Sequence, residues 1–391
     1  SRPERGELAY AVVHAHEREL KASRMHTHIP FATKYIQLDG QSRLQQQVRQ
    51  DPGYVIQSHF DTAVPWGLDR IDGGMDGKPY AVKLGGQGVH VWNMDTGVQE
   101  QLTEFGAPKT RVDRVFDVTP GVLGCMQQVN LNPFKQFYQV IPKVCQERKD
   151  QEMKEKGKTG SCSQSCGLDK HGHGTHTTSN ICGDHFGVAT GAICHGMKVL
   201  NDQGIGAWSW FVEGINFVMT QAPTHKPSII SGSLGGPGIE PFVKDAVDRA
   251  TAADISVVVA AGNENADACQ FTPSYIPSAL TIGSVDWYDT RSSFSNYGAC
   301  IDVFAPGSHI TSLGRTPGTL TTMSGTSMAA PHVAGIVALL YGRYMSIKNN
   351  DIKGAVALSS TNGVLKDLNQ QGTPNKMAYT GPGSLTAPPG T

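Results

Sequence analysis

The chain has 391 residues, 39% of them apolar and 17% charged, enough to bury a full core and typical of a globular protein rather than a repetitive or solvated one. Its 33 basic and 34 acidic side chains nearly cancel, so no cationic field exists to draw nucleic acid or an anionic membrane, and no apolar run is long enough to span a bilayer. The start, SRPERGELAY, lacks the apolar segment of a secretory signal, and the expectation is that any such signal has already been removed.

In chain order, residues 8–13 (LAYAVV) predict a strand, SRLQQQVRQ a short helix stopped by Asp51, Pro52 and Gly53, and YVIQSHF a second strand. Together they make a small α/β unit over residues 1–61, too small to be very stable alone and expected to lean on a larger body. From residue 62 the punctuation changes. Short apolar strands (VHVWNM, AICHGMKVL, PSIISGSL, DISVVVAAG, ALTIGSV) alternate with helical segments such as WFVEGINFVMTQ and VKDAVDRATA. This predicts an α/β domain over residues 62–379, a mostly parallel sheet with helices on both faces. In that architecture sites form at the carboxyl ends of strands, where Asp95, SGSLGG and AAGNEN fall. Residues 117–168 break the alternation; with the charged run QERKDQEMKEKGK as a solvated helix face or loop, they read as an insertion. Residues 380–391, rich in Gly and Pro, predict a disordered tail.

Four of the eight cysteines (Cys125, Cys145, Cys162, Cys166) lie in that polar insertion, where a thiol has little core to enter and a disulfide would constrain a long loop. The placement points to an oxidising compartment and secretion; buried free thiols are the alternative.

Three segments carry chemistry. In SGTSMAAPHVAGIVALLYG, Ser327 opens a nearly all-apolar helix, with Pro331 expected in its first turn, where a missing N–H costs little. Backbone donors at such a helix start can stabilise an oxyanion on a substrate bonded to the serine, although a lone serine there is ordinarily a cap. In HGHGTHTTSNICG, His173 begins a predicted helix between Gly172 and Gly174, and a neutral imidazole there can take a serine proton. The rival is zinc, held by His171, His173 and His176 with Cys166 or Asp169, but no HExxH glutamate accompanies them. In VWNMDTGV, Asp95 ends a strand, where a carboxylate can hold the imidazole tautomer and stabilise the imidazolium. DTG also marks aspartic proteases, which need two such aspartates, and no second copy occurs.

The order Asp, His, Ser within DTG, HGTH and GTSMAAPH resembles the subtilisin family over residues 64–350 apart from the insertion. The run RSSFSNYGACIDVFAPG is nearest its proteinase K branch. The resemblance implies a secreted serine endopeptidase with Asp95, His173 and Ser327 as triad and Asn263 as oxyanion donor. It makes Ser233, Leu234 and Gly235 one substrate-binding edge and Gly204 and Gly206 the other. Trp208 lines a distal subsite, and Ala260, Ala261 and Gly262 wall a pocket for a bulky apolar residue before the cleaved bond.

It also implies structural calcium on Asp302 and the carbonyls of Pro277 and Ala279, a Cys269–Cys300 disulfide, and no organic cofactor. The other six cysteines stay open, with 15 pairings if all bond. Residues 1–61 (YAVV, KYIQLDG, QDPGYVIQSHF) resemble the family's inhibitory propeptide. That implies a zymogen whose propeptide lays its last residues in the site, with autocleavage near Phe60 to Val64; an extension that is never removed is the alternative. The implied partners are protein or peptide substrates and the chain's own propeptide, on a monomer. A different class of reading is a catalytically silent subtilase-fold binding protein that retains its propeptide.

Overall fold

The computed structural model describes residues 40–44, 65–73, 75–78, 80, 85–106, 111–119, 126–132, 135–140, 143–144, 166–368 and 372–380. Its helices are α1 (Trp66–Ile71), α2 (His173–Cys182), α3 (Trp208–Gln221), α4 (Pro241–Ala252), α5 (Thr326–Arg343) and α6 (Asn349–Ser359). The strands up to the middle of the chain are β1 (Gln41–Leu44), β2 (His90–Asp95), β3 (Val112–Asp117), β4 (Met126–Asn132), β5 (Lys135–Val140), β6 (Lys143–Val144), β7 (Ile193–Lys198) and β8 (Ile205–Ala207). There follow β9 (Ser228–Gly232), β10 (Leu234–Pro237), β11 (Ile255–Ala260), β12 (Phe271–Thr272), β13 (Leu280–Val285), β14 (Val303–Pro306), β15 (Ile310–Leu313), β16 (Leu320–Met323), β17 (Thr361–Asn362) and β18 (Lys376–Met377).

The central sheet has the order β17-β18-β14-β13-β11-β9-β2-β7-β3-β6, parallel except at its two outermost pairs. Its strands are covered on both faces, which is why β11 (ISVVVA) is buried at every position. Side-chain alternation assigns the faces. Val91, Ile229 and Val258 join the core made with α2, α5 and α6, whereas Trp92, Ile230, Val257 and Val259 join the one made with α3 and α4. The first strand of the body, β2, lies between β9 and β7, so the strand order reverses beside it and leaves a crevice at the carboxyl ends of β2 and β9. Asp95 closes β2 and Ser233 follows β9 at that crevice.

Three elements depart from expectation. Ser42–Leu44, read as the start of a helix, instead belong to β1, antiparallel to both β8 and β10. The two edges offer rows of unpaired backbone donors and acceptors, and pairing with both outweighs local helix preference. The rest of that predicted helix, both flanking strands and the expected junction near Phe60 lie outside the described residues. Pro331 is the sixth residue of α5, not in its first turn. The insertion contributes an antiparallel ladder, β4 with β5, and a strand, β6, that pairs with β3 at the edge of the central sheet. Its charged run, and the tail beyond Thr380, lie outside the described residues.

Candidate active site

His173 stands at the first position of α2 and Asp95 at the last of β2, both with no exposed surface. His173 Nδ1 lies 2.8 and 2.9 Å from the two Asp95 carboxylate oxygens, which can only accept, so Nδ1 carries the proton. Asp95 Oδ1 also accepts the Thr96 amide at 2.7 Å, which fixes the carboxylate. The proton on Nδ1 leaves Nε2 as the basic nitrogen, and no hydrogen-bond partner for Nε2 is found among the described residues.

The turn after Asp95 is built to hold α2. Thr96 Oγ1 accepts the Gly174 amide and donates to Asp169 Oδ1, both at 2.9 Å. Asp169 accepts the amides of His171, Gly172 and Thr175, which satisfies donors at the start of the helix. Gly97 and Gly174 meet backbone to backbone: a Cβ on Gly174 would lie 2.1 Å from the Gly97 carbonyl oxygen. Lys198, buried at the end of β7, donates to the Thr96 carbonyl at 2.7 Å and pairs with Asp202 at 2.8 Å. Asp169 and Lys198 were not assigned these roles from sequence. An Asp three residues before Gly172 is a capping pattern, whereas nothing local marks Lys198.

Two of the three histidines of HGHGTH make different contacts, His173 with Asp95 and His176 with two backbone carbonyls. His176 Nε2 lies 3.0 and 3.1 Å from the carbonyls of Ile310 and Thr321, and burial pushes it down to about 3. Burial, and then the nearby His173, lower His171. Asp169 is committed to the helix start and Cys166 to a disulfide, so the five proposed zinc ligands do not form one set.

Ser327 is the second residue of α5, which packs on α2. Its hydroxyl donates to the Ser233 carbonyl at 3.0 Å, and the Ser233 hydroxyl donates to the Ser327 carbonyl at the same distance. Pro331 explains the second bond. Four residues on from Ser327, it has no N–H to give that carbonyl, and Ser233 supplies the missing donor. Asn263 follows the strand end of β11, where its Oδ1 accepts the Thr326 amide at 2.9 Å and the Thr326 hydroxyl at 3.0 Å. With the oxygen so engaged, Nδ2 is the donor end of the amide. Ala260, Ala261 and Gly262 lead into it; Gly262 has φ +106 and donates its amide to Thr326 Oγ1.

Between the expected substrate edges runs β1. Arg43 faces Gly235 and Leu44 faces Leu234 on one side, while Gln41, Ser42 and Arg43 face Ala207, Gly206 and Ile205 on the other. The Leu44 amide donates to the Gly204 carbonyl at 3.1 Å. Trp208, 1% exposed, donates its amide to the Gly40 carbonyl beside the start of β1. The strand in the cleft is thus Gln41–Leu44, well before the junction expected near Phe60.

Cys269 is bonded to Cys300, and Cys182 to Cys194, which ties the end of α2 to β7. Asp302, Pro277 and Ala279 do converge, but on a lysine: Lys353 Nζ lies 3.0, 2.8 and 2.7 Å from Asp302 Oδ1 and the two carbonyls. A calcium ion does not fit this set, because the ammonium already stands where the three oxygens point.

A family model described as the subtilase family matches residues 61–378. The chain is 37% identical to an extracellular serine proteinase of Thermus sp. (strain Rt41A), over 81% of this chain and 66% of that protein. It is 33% identical to alkaline serine exoprotease A of Vibrio alginolyticus, over 81% and 50%, and 41% identical to subtilisin-like protease 2 of Pseudogymnoascus destructans, over 55% and 53%. It spans between half and two thirds of the length of these relatives. The crystal structure of a cold adapted subtilisin-like serine proteinase superposes with a TM-score of 0.66 at 32% identity, over 83% of this chain and 99% of that one. By its match over most of its length, and by likeness of sequence and fold, this chain belongs to the subtilase family.

Proposed function

We propose that this chain is a secreted serine endopeptidase, made as a self-inhibited zymogen, which cleaves after apolar residues through an acyl-enzyme. The observation that carries the reading is a strand paired in the cleft on the line that leads to Ser327. Along an antiparallel strand successive amides point to opposite sides. Leu44 donates toward β8, so a substrate in the same register turns the amide of its following residue toward the Ser233 carbonyl. That amide competes with the Ser327 hydroxyl for the same oxygen and releases it toward His173.

Ser327 Oγ then attacks the carbonyl carbon while His173 Nε2 takes its proton and Asp95 holds the imidazolium. The oxyanion is met by Asn263 Nδ2 and the Ser327 amide. Collapse expels the amine, protonated by His173, and water repeats the sequence on the ester. Ala260, Ala261 and Gly262 leave room for a bulky apolar side chain before the cleaved bond. Residues 1–61 act as the inhibitor in cis, with β1 as the part seated in the cleft. The one relative named extracellular and the paired cysteines support secretion.

A fluorophosphonate probe tests this. Ser327 should be labelled once the N-terminal segment is removed, with Ser327→Ala as blank; a folded, trimmed protein that takes no label would leave the silent binding protein as the answer.

A further inference from the structure

Lys353, on α6, presents its ammonium to three oxygens: Asp302 Oδ1 at 3.0 Å, the Pro277 carbonyl at 2.8 Å and the Ala279 carbonyl at 2.7 Å. We propose that this ammonium is a built-in cation, taking in this chain the place that calcium was expected to take.

The chemistry matches an ammonium on each count. Lysine has three N–H donors and no acceptor, and here it donates to the two carbonyls while its charge pairs with the carboxylate. The separations are those of N–H···O bonds, whereas calcium draws in oxygens to about 2.3–2.6 Å and wants six to eight of them. The set holds one carboxylate, whose other oxygen is already taken by the Thr281 amide at 2.8 Å. One positive charge therefore neutralises the site. Both cannot be present, since a calcium bonded to these oxygens would lie against Nζ.

The mechanical role is also the expected one for a structural ion. Pro277 and Ala279 precede β13, Asp302 precedes β14, and Lys353 lies on a helix packed against α5 and β11. The ammonium ties three chain segments together, as a bound ion would, but without depending on calcium in the medium.

The test uses the full chain carrying Ser327→Ala to prevent self-cleavage, melted in calcium chloride and in excess chelator. It is compared with the same protein carrying Asp302→Asn or Lys353→Met. We expect the gain in Tm on adding calcium to be the same for the parent and for Asp302→Asn, so that ions held elsewhere cancel. We also expect Lys353→Met to melt on the order of 3–6 °C below the parent in chelator, as loss of charge-assisted bonds in a domain of this size implies. A calcium gain in the parent that disappears with Asp302→Asn would overturn the proposal. So would a Lys353→Met protein that melts with the parent in chelator.

Discussion

Asp95 ends one strand of the central sheet and Asp302 immediately precedes another, and both face a cation or its precursor, yet their partners differ. Asp95 faces an imidazole whose far nitrogen is basic and not engaged by the described residues, so the pair can accept a proton and return it. Asp302 faces an ammonium that also donates to two carbonyls and has no lone pair to take a proton, so its pair holds segments together. The difference teaches that a carboxylate becomes chemical machinery through the titratable partner it positions. A cationic partner alone does not make it so.

The largest effect that could break this contrast is on turnover. Asp95→Asn should lower kcat about 10⁴-fold, because an amide favours the wrong imidazole tautomer, while Tm stays close to the parent's. Asp302→Asn should do the opposite, lowering Tm and leaving peptide hydrolysis at 25 °C intact; an equal loss of kcat in a folded Asp302→Asn protein would erase the distinction.

Acid sharpens it next. Burial pushes His176 down to about 3 and His332 down to about 4. The unfolded chain takes up these protons from about pH 6.5 and the folded chain does not. Stability is therefore whole above pH 6.5 and falls as pH drops toward 4, by on the order of a few kcal/mol for each histidine. Denaturant midpoints measured on Ser327→Ala across that range should decline steadily. A flat profile would mean that neither imidazole is held neutral.

Asn263→Ala comes third, with kcat reduced about 10²- to 10³-fold and KM little changed, as expected of a donor used mainly in the transition state. Smallest is Ser233→Ala. It removes the donor that serves the Ser327 carbonyl in place of Pro331, and should cost about 1–3 kcal/mol in urea unfolding. Restoring a backbone donor with Pro331→Ala in the same protein should recover part of the loss.

Much of the site was legible in sequence because its parts sit in short contiguous motifs: Asp95 in DTG, His173 in HGTH and Ser327 in GTSM, each at an element end that periodicity located. The body's strands were legible for the same reason, since β2, β7, β11 and β13 are apolar runs bounded by turns. What sequence did not reveal depends on residues far apart in the chain. Lys353 is an unremarked lysine in a polar helical turn until the fold brings it to Pro277 and Ala279. The Ser233 hydroxyl compensates for a proline 98 positions away along the chain. Ser42–Leu44 read as a helix start because its neighbours, QQQVRQ, are good helix formers, and only the two open edges of the cleft make it a strand.

β1 has a kinetic consequence. It is joined to α1 by roughly twenty residues, between Leu44 and Pro65. A strand on so short a tether meets its cleft at an effective concentration in the millimolar range. A peptide that offers the same backbone pairing must approach that concentration to compete. One cut anywhere in the tether dilutes β1 to the concentration of the protein itself, about a thousandfold for a micromolar solution, with no contact in the cleft altered. The cleft's accessibility is then set by the integrity of a covalent link as much as by affinity.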